Sequence, residues 1–471
     1  MSSRSLGFGS TTNFFEAEYK SLDLKDKRLN KRALSTFQAL QATLTTCIRR
    51  LRLGAKDLRQ TYDFFSNPKV SGSALIEPHY QNTVHRFHET EAKYILAVQD
   101  NTFLNYSSHH AKEGMGKISH IGNRDQTGLI LHSTLIITDQ NEPLGLIDLA
   151  IFHYDEFEFS KHRRDRCIEE KQNICWINSV KNMRERLGIS NKKIITVADR
   201  EGDFFEFLHE LSINNELFVV RASHNRHTGK KHREHRNGTD KLFNLINQTD
   251  DFNEVMKINI NDVKTHQIKE VALRIKKISM VELPASPEIK SKSEKTFNSI
   301  FVNAVKAYNE DYCWIVLTNL PVDTFEDCKT VLEIYKARWH IEDYHKVLKT
   351  GYQIDEIYLH ASREAVENAL TMAAISACRL YWIIYVGRVE KTASAQRLFT
   401  EYEWKSVYVY FREKIPTNTP SLSEVIIKIA QLGGYMPRKN AAPPGIKSMW
   451  LGLQAFATTA EMYKGFMETK T

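Results

Sequence analysis

Cysteine is scarce in this chain of 471 residues, with six scattered at positions 47, 167, 175, 313, 328 and 378. None forms a Cys-x-x-Cys pair, which argues against a zinc ribbon and a disulfide-stapled secreted domain. Glycine (20) and proline (11) are also few, so collagen-like and low-complexity classes are excluded. No long apolar run is free of charge. The most apolar stretch, 369–386, carries Arg379 in its middle and reads as a buried helix, not a membrane span. The opening residues lack the apolar core of a signal peptide. The expectation is a soluble protein of the cytoplasm.

What is present is 42% hydrophobic residues, enough for a sizeable core. At about 150 residues per domain the length suggests roughly three domains. Lys and Arg number 65 against 57 Asp and Glu, a formal charge of +8. That excess favours an anionic partner. Residues 1–85 read as short helices. Leu29, Ala33, Leu34, Phe37 and Leu40 recur near helical spacing, and Asn67-Pro68 breaks a second helix. Arg28, Arg32 and further basic residues crowd this region. They read either as a solvated face or as a DNA-binding module whose side chains contact phosphates.

Beyond residue 86 the texture changes. Apolar runs at 94–100, 129–138, 144–152, 193–199 and 217–221 are of strand length, the second and third joined by a turn. Helical stretches separate the last three. This β-β-β-α-β-α-β order is that of a ribonuclease-H-like mixed α/β sheet, spanning 86–362. A β-rich subdomain is expected to interrupt it at 224–320, followed by a long helix at 326–350. Helices fill 363–471.

Asp100 and Asp199 each end an apolar strand, where ligands bind in α/β folds. Either alone is as well read as a cap or turn residue. Tyr335, Arg338, Glu342 and Lys349 lie at offsets that place them within about 60° of one helix face. Two strand-end carboxylates and one on a helix suit a site for Mg²⁺ (or Mn²⁺), which takes hard oxygen ligands. Two such ions can assist both the attacking and the leaving oxygen of a phosphodiester. Arg338 and Lys349 would hold phosphates beside them.

Tyr335, Arg338, Glu342 and Lys349 match the Y-x2-R-x3-E-x6-K signature of the IS-four family of bacterial insertion-sequence transposases, and Asp100, Asp199 and Glu342 resemble its DDE triad. Asn101 departs from the threonine expected after the first Asp. The resemblance implies a helical end-binding domain, a catalytic core and a C-terminal dimerisation region. It implies cut-and-paste DNA transposition: nicking at element ends, 3′-hydroxyl attack forming hairpins, hairpin opening and strand transfer into target DNA. The partners implied are double-stranded DNA, as ends and target, and a second copy of the chain, in a bacterial, nucleoid-associated setting. Trp314 corresponds to a tryptophan that stacks on a flipped base, and Arg221 to a DNA-contacting arginine.

Two other readings are a nuclease of the same fold that cuts without joining, and a catalytically silent DNA-binding regulator. Trp450, Leu453, Phe456 and Ala457 form a rough apolar stripe, expected to pair two subunits. Histidines 224, 227, 232 and 235 sit among Arg and Lys, a setting that disfavours zinc. Gly114-Met-Gly-Lys-Ile lacks the flanking residues of a phosphate-binding loop.

Overall fold

Strand β1 (Tyr94–Asn105) sets the architecture. Its Leu96 and Val98 join one apolar cluster, while Ile95 and Ala97 join another. A strand buried on both faces belongs in the middle of a sheet covered by helices on each side. The computed structural model describes residues 16–51, 53–109, 112–119, 126–157, 165–188, 190–229, 241–261, 268–286, 289, 296–354, 357, 362–437 and 443–469.

Three helices come first: α1 (Lys27–Thr43), α2 (Ala55–Phe65) and α3 (Gly72–Glu89). Asp26 caps α1 by accepting from the Arg28 N–H, and Ser71 caps α3 by accepting from Ala74. After β1 come β2 (Gly116–Ser119), β3 (Gln126–Thr138), β4 (Pro143–Phe152), α4 (Ile174–Leu187), β5 (Lys193–Ala198), α5 (Phe205–Ile213) and β6 (Leu217–Arg221). In the sheet β4 pairs with β3, β3 with β1, β1 with β5 and β5 with β6. The β1–β5 and β5–β6 pairs are parallel and β1–β3 is antiparallel. This is the ribonuclease-H-like arrangement expected from the element order. The short β2, edging β3, was not foreseen.

The insertion differs from expectation. It comprises α6 (Leu242–Gln248), β7 (Asp251–Asn261), β8 (Ile268–Leu283), β9 (Ile300–Tyr308) and β10 (Cys313–Thr318). These strands form no separate subdomain. β10 pairs with β6, placing Val316 opposite Arg221 and Leu317 opposite Val220, and β9, β8 and β7 follow outward. The core sheet thus grows to ten strands. The physical reason is the free edge of β6, whose N–H and C=O groups the insertion satisfies.

The helix expected over 326–350 is interrupted. α7 (Phe325–Lys336), begun by a Thr324–Asp327 capping box, ends before a turn at Ala337–Arg338. α8 (Trp339–Lys346) follows and closes in a π-helical turn, Val347–Gly351. α9 (Arg363–Val389) is long and apolar enough to cross a membrane, but is almost wholly buried inside the protein. Its Asn368 Nδ2 donates to the carbonyls of Phe65 (3.0 Å) and Val70 (3.1 Å), tying the N-terminal helices to the core. Position 85 lies inside α3, whose His79 Nε2 accepts from the Leu146 N–H of β4 (3.0 Å), so this helix packs with the sheet.

α10 (Glu401–Tyr410), α11 (Leu422–Leu432) and α12 (Ile446–Glu468) complete the chain. The apolar stripe on α12 does not face outward. Trp450, Leu453 and Phe456 are buried against their own chain. Trp450 Nε1 donates to the Leu44 carbonyl (2.8 Å), and Phe456 meets Phe399 edge to face. The pairing surface expected there is therefore a fold contact, because the last turns of α1 and the core offer it an apolar seat.

Candidate active site

Asp100 and Asp199 follow Gln99 and Ala198, which are partners across parallel β1 and β5. The two carboxylates thus leave neighbouring strands at the same level. Each is held by one backbone donor. The Asn101 N–H donates to Asp100 Oδ1 (2.9 Å), and the Glu201 N–H donates to Asp199 Oδ1 (2.7 Å). Asp199 thereby also caps the short turn Arg200–Gly202. The proximity has an electrostatic signature. Loss of solvent, then the charge of Asp199, push Asp100 up to about 7; Arg338 opposes this, and Glu201 adds to it.

α8 lies across this strand end. Ser133, the β3 partner of Asp100, meets His345 of α8, with Oγ and Nε2 3.2 Å apart. Burial lowers His345 to about 3, so the contact uses a neutral ring. On the preceding turn of the helix, Glu342 is half exposed and its carboxylate accepts from Arg338 Nη1 (2.6 Å). Glu342 is therefore linked to the aspartate site through Arg338, whose charge acts on Glu342 and on Asp100. Among the described residues no three His, Cys, Asp or Glu side chains converge as a ready-made cation cage.

The aspartate pair still suits a hard divalent cation. Two carboxylates follow paired residues of neighbouring parallel strands, and their mutual repulsion is what an ion would relieve. Completing the set with Glu342 requires that carboxylate to exchange its guanidinium partner for the ion.

The remaining sequence-derived residues divide. Tyr335 and Arg338 are buried together, and the Tyr335 hydroxyl and Arg338 Nε have no protein partner. A phenol and a guanidinium edge left unsatisfied beside two aspartates suit phosphate oxygens. Lys349 stands in the π-turn, half-buried, close enough to His345 to depress its basicity. Trp314 packs edge to face against Tyr335 and Trp339, both with centroids 6.3 Å away. Trp339 is 39% exposed, so the cluster presents one open ring beside the site. Arg221 lines a different cleft of about 470 Å³ with Arg200 and Lys306.

At the N-terminus Arg28 is exposed. Arg32 is engaged within the fold, pairing with Asp57 (3.1 Å) and Gln60 of α2. Of the four histidines weighed for zinc, 232 and 235 lie outside the described residues. Sequence reasoning gave no role to Glu201, His132 or Trp339. Glu201 lies two residues after Asp199, a signal that spacing could have supplied, whereas His132 reaches the site only through strand pairing.

Comparison with known families adds three matches along the chain. Residues 11–70 match the transposase DNA-binding family, residues 79–378 the transposase DDE domain, and residues 375–469 the transposase Tn5 dimerisation domain. The catalytic-domain match covers well over half of the chain and carries the paired strand-end aspartates. The chain belongs to the DDE transposases, as an enzyme of cut-and-paste DNA transposition with a DNA-binding and a dimerisation domain.

Proposed function

We propose that Asp100, Asp199 and Glu342 carry the phosphodiester chemistry of transposition, with Mg²⁺ or Mn²⁺ as the cofactor. Transposases of this class generally use a divalent metal. The observation that carries the reading is the placement of Asp100 and Asp199 directly after paired residues of neighbouring parallel strands, close enough for the charge of Asp199 to raise Asp100. Bound there, a divalent ion would supply charge neutralisation to the attacking and leaving oxygens of the phosphodiester. The chain's own groups do the rest. Arg338 holds Glu342 until substrate arrives and then offers its fork to a phosphate, while Tyr335 and Lys349 donate to other oxygens of the same strand. Trp314, seated behind the exposed Trp339, supplies an aromatic wall for a displaced base. Arg221 and the basic face of α1 hold the flanking duplex.

The reaction sequence is hydrolytic nicking at each end, attack of the freed 3′-hydroxyl on the opposite strand to give a hairpin, opening by water, and attack of the 3′-hydroxyl on target DNA. Each step exchanges one phosphorus–oxygen bond for another. Two subunits pair two ends before cutting, on nucleoid DNA in the bacterial cytoplasm. The decisive experiment uses the full chain and a duplex carrying the element's terminal repeat. Asp199→Ala is expected to abolish nicking while end binding stays within about twofold. Chelation should stop the natural protein, and Mg²⁺ or Mn²⁺ should restore it. Normal nicking by Asp199→Ala would sink the assignment.

A further inference from the structure

A chain of three hydrogen bonds runs from one aspartate to the other. The backbone donors that orient them belong to Asn101 and Glu201. The side chains of those same two residues meet, Asn101 Nδ2 donating to Glu201 Oε2 at 2.7 Å. Beyond the parallel β1–β5 ladder, this is a side-chain tie between the two segments at the site.

The amide cannot turn around. Its NH₂ group must face the carboxylate, which only accepts, so its oxygen faces His132 Nδ1 at 2.9 Å. His132 is fully buried, and burial lowers it to about 3, so the ring is neutral with one N–H. That N–H is on Nδ1. Nε2 is then an acceptor; the Gln99 amide oxygen stands 3.2 Å from it, so this amide must be turned over to bring its NH₂ to the ring. This also gives the buried Gln99 NH₂ the partner it otherwise lacks. Trp176 lies against the imidazole, with centroids 4.7 Å apart. The chain Gln99–His132–Asn101–Glu201 thus runs from the sheet interior to the surface, with the direction of each bond set by its neighbour.

We infer that Asn101 and Glu201 are positioning residues, a clasp that fixes the separation and aim of the Asp100 and Asp199 carboxylates for their cation. The inference rests on the proposed metal-binding role of those aspartates. Glu201 is a clasp residue here and not a ligand: its carboxylate is engaged by the amide, and its backbone N–H does the aiming. Losing the clasp leaves both aspartates in place but frees their two donors to drift apart.

The test measures Mn²⁺ binding to the full chain by calorimetry, with thermal unfolding and end-DNA affinity as checks on the fold. Three variants separate geometry from charge. Asn101→Leu breaks the clasp and keeps the Glu201 charge. Glu201→Gln loses the charge but keeps an oxygen for the amide. Glu201→Leu loses both. The expected result is about a tenfold loss of Mn²⁺ affinity for Asn101→Leu, and about a tenfold loss for Glu201→Leu beyond that of Glu201→Gln. Natural affinity in Asn101→Leu, or equal affinities in the two Glu201 variants, overturns the clasp. If Asn101→Leu fails to fold, the Glu201 pair, at an exposed position, decides alone. Asp199→Ala distinguishes the two levels. If it binds Mn²⁺ as the natural chain does, the metal reading fails; if it loses Mn²⁺ while the clasp variants do not, only the clasp fails.

Discussion

Asp100 works against the stability of the protein that carries it. Burial, then the charge of Asp199, push its folded carboxyl up to about 7, above the 3.8 of a free side chain. Between those values the folded state keeps a proton that the unfolded state has lost. Stability therefore falls as pH rises through this window and levels off above it. Asparagine cannot ionise, so without metal Asp100→Asn should melt above the natural chain at pH 8, with the gap closing toward pH 4. Thermal unfolding in chelator across that range checks this, and a gap independent of pH would contradict it. The two aspartates were legible in the sequence because each ends an apolar strand run. Their clasp was not, since His132 joins it only through the β1–β3 register, where it stands opposite Asn101.

At the scale of elements, the Ala337–Arg338 turn decides what the signature helix presents. A uniform helix would keep Tyr335, Arg338, Glu342 and Lys349 on one equally open face. Instead Tyr335 and Arg338 are buried and Glu342 stays exposed. The spacing was readable from the sequence, but the break and the π-turn were not, because both accompany the docking of α8 on the sheet, where His345 meets Ser133 of β3. The basic face of α1 divides in the same way. Arg28→Ala should reduce the salt dependence of end binding by about one unit of log–log slope. Arg32→Ala should instead loosen α1 from α2, costing at most about 1 kcal/mol, since its ion pair is partly exposed. Binding isotherms at several salt concentrations, with denaturant unfolding, distinguish the two. Asn368→Ala leaves two buried carbonyls without their donor and should cost roughly 2 kcal/mol.

For the whole molecule, the burial of the α12 stripe moves the pairing surface elsewhere. The same helix exposes Leu451, Met462, Phe466 and Met467, apolar side chains each more than a third open to solvent. With a dimerisation-domain match over residues 375–469, these are where a second subunit should sit. A Leu451→Glu, Phe466→Glu double variant is expected to bind one end with normal affinity, fail to pair two ends and cut poorly. Sedimentation of end-DNA complexes together with cleavage assays tests this. Trp450→Ala should behave differently, lowering stability by about 4 kcal/mol through a core cavity.

Local pattern by itself determined the order of elements along the catalytic core, the short β2 apart, the strand-end aspartates and the basic helical start. Each is written in runs of a few residues, where period and terminal residue type carry the information. Tertiary structure alone decided three things. The inserted strands extend the core sheet because β6 offers an unpaired edge, and pairing with an edge is invisible to local pattern. Arg338 is buried while Glu342, its i,i+4 partner, stays open, because the chain turns before α8 and docks on the sheet. The stripe on α12 faces inward because α1 and the core supply an apolar seat for Trp450. An apolar stripe records that a face must be covered, and only the assembled chain determines what covers it.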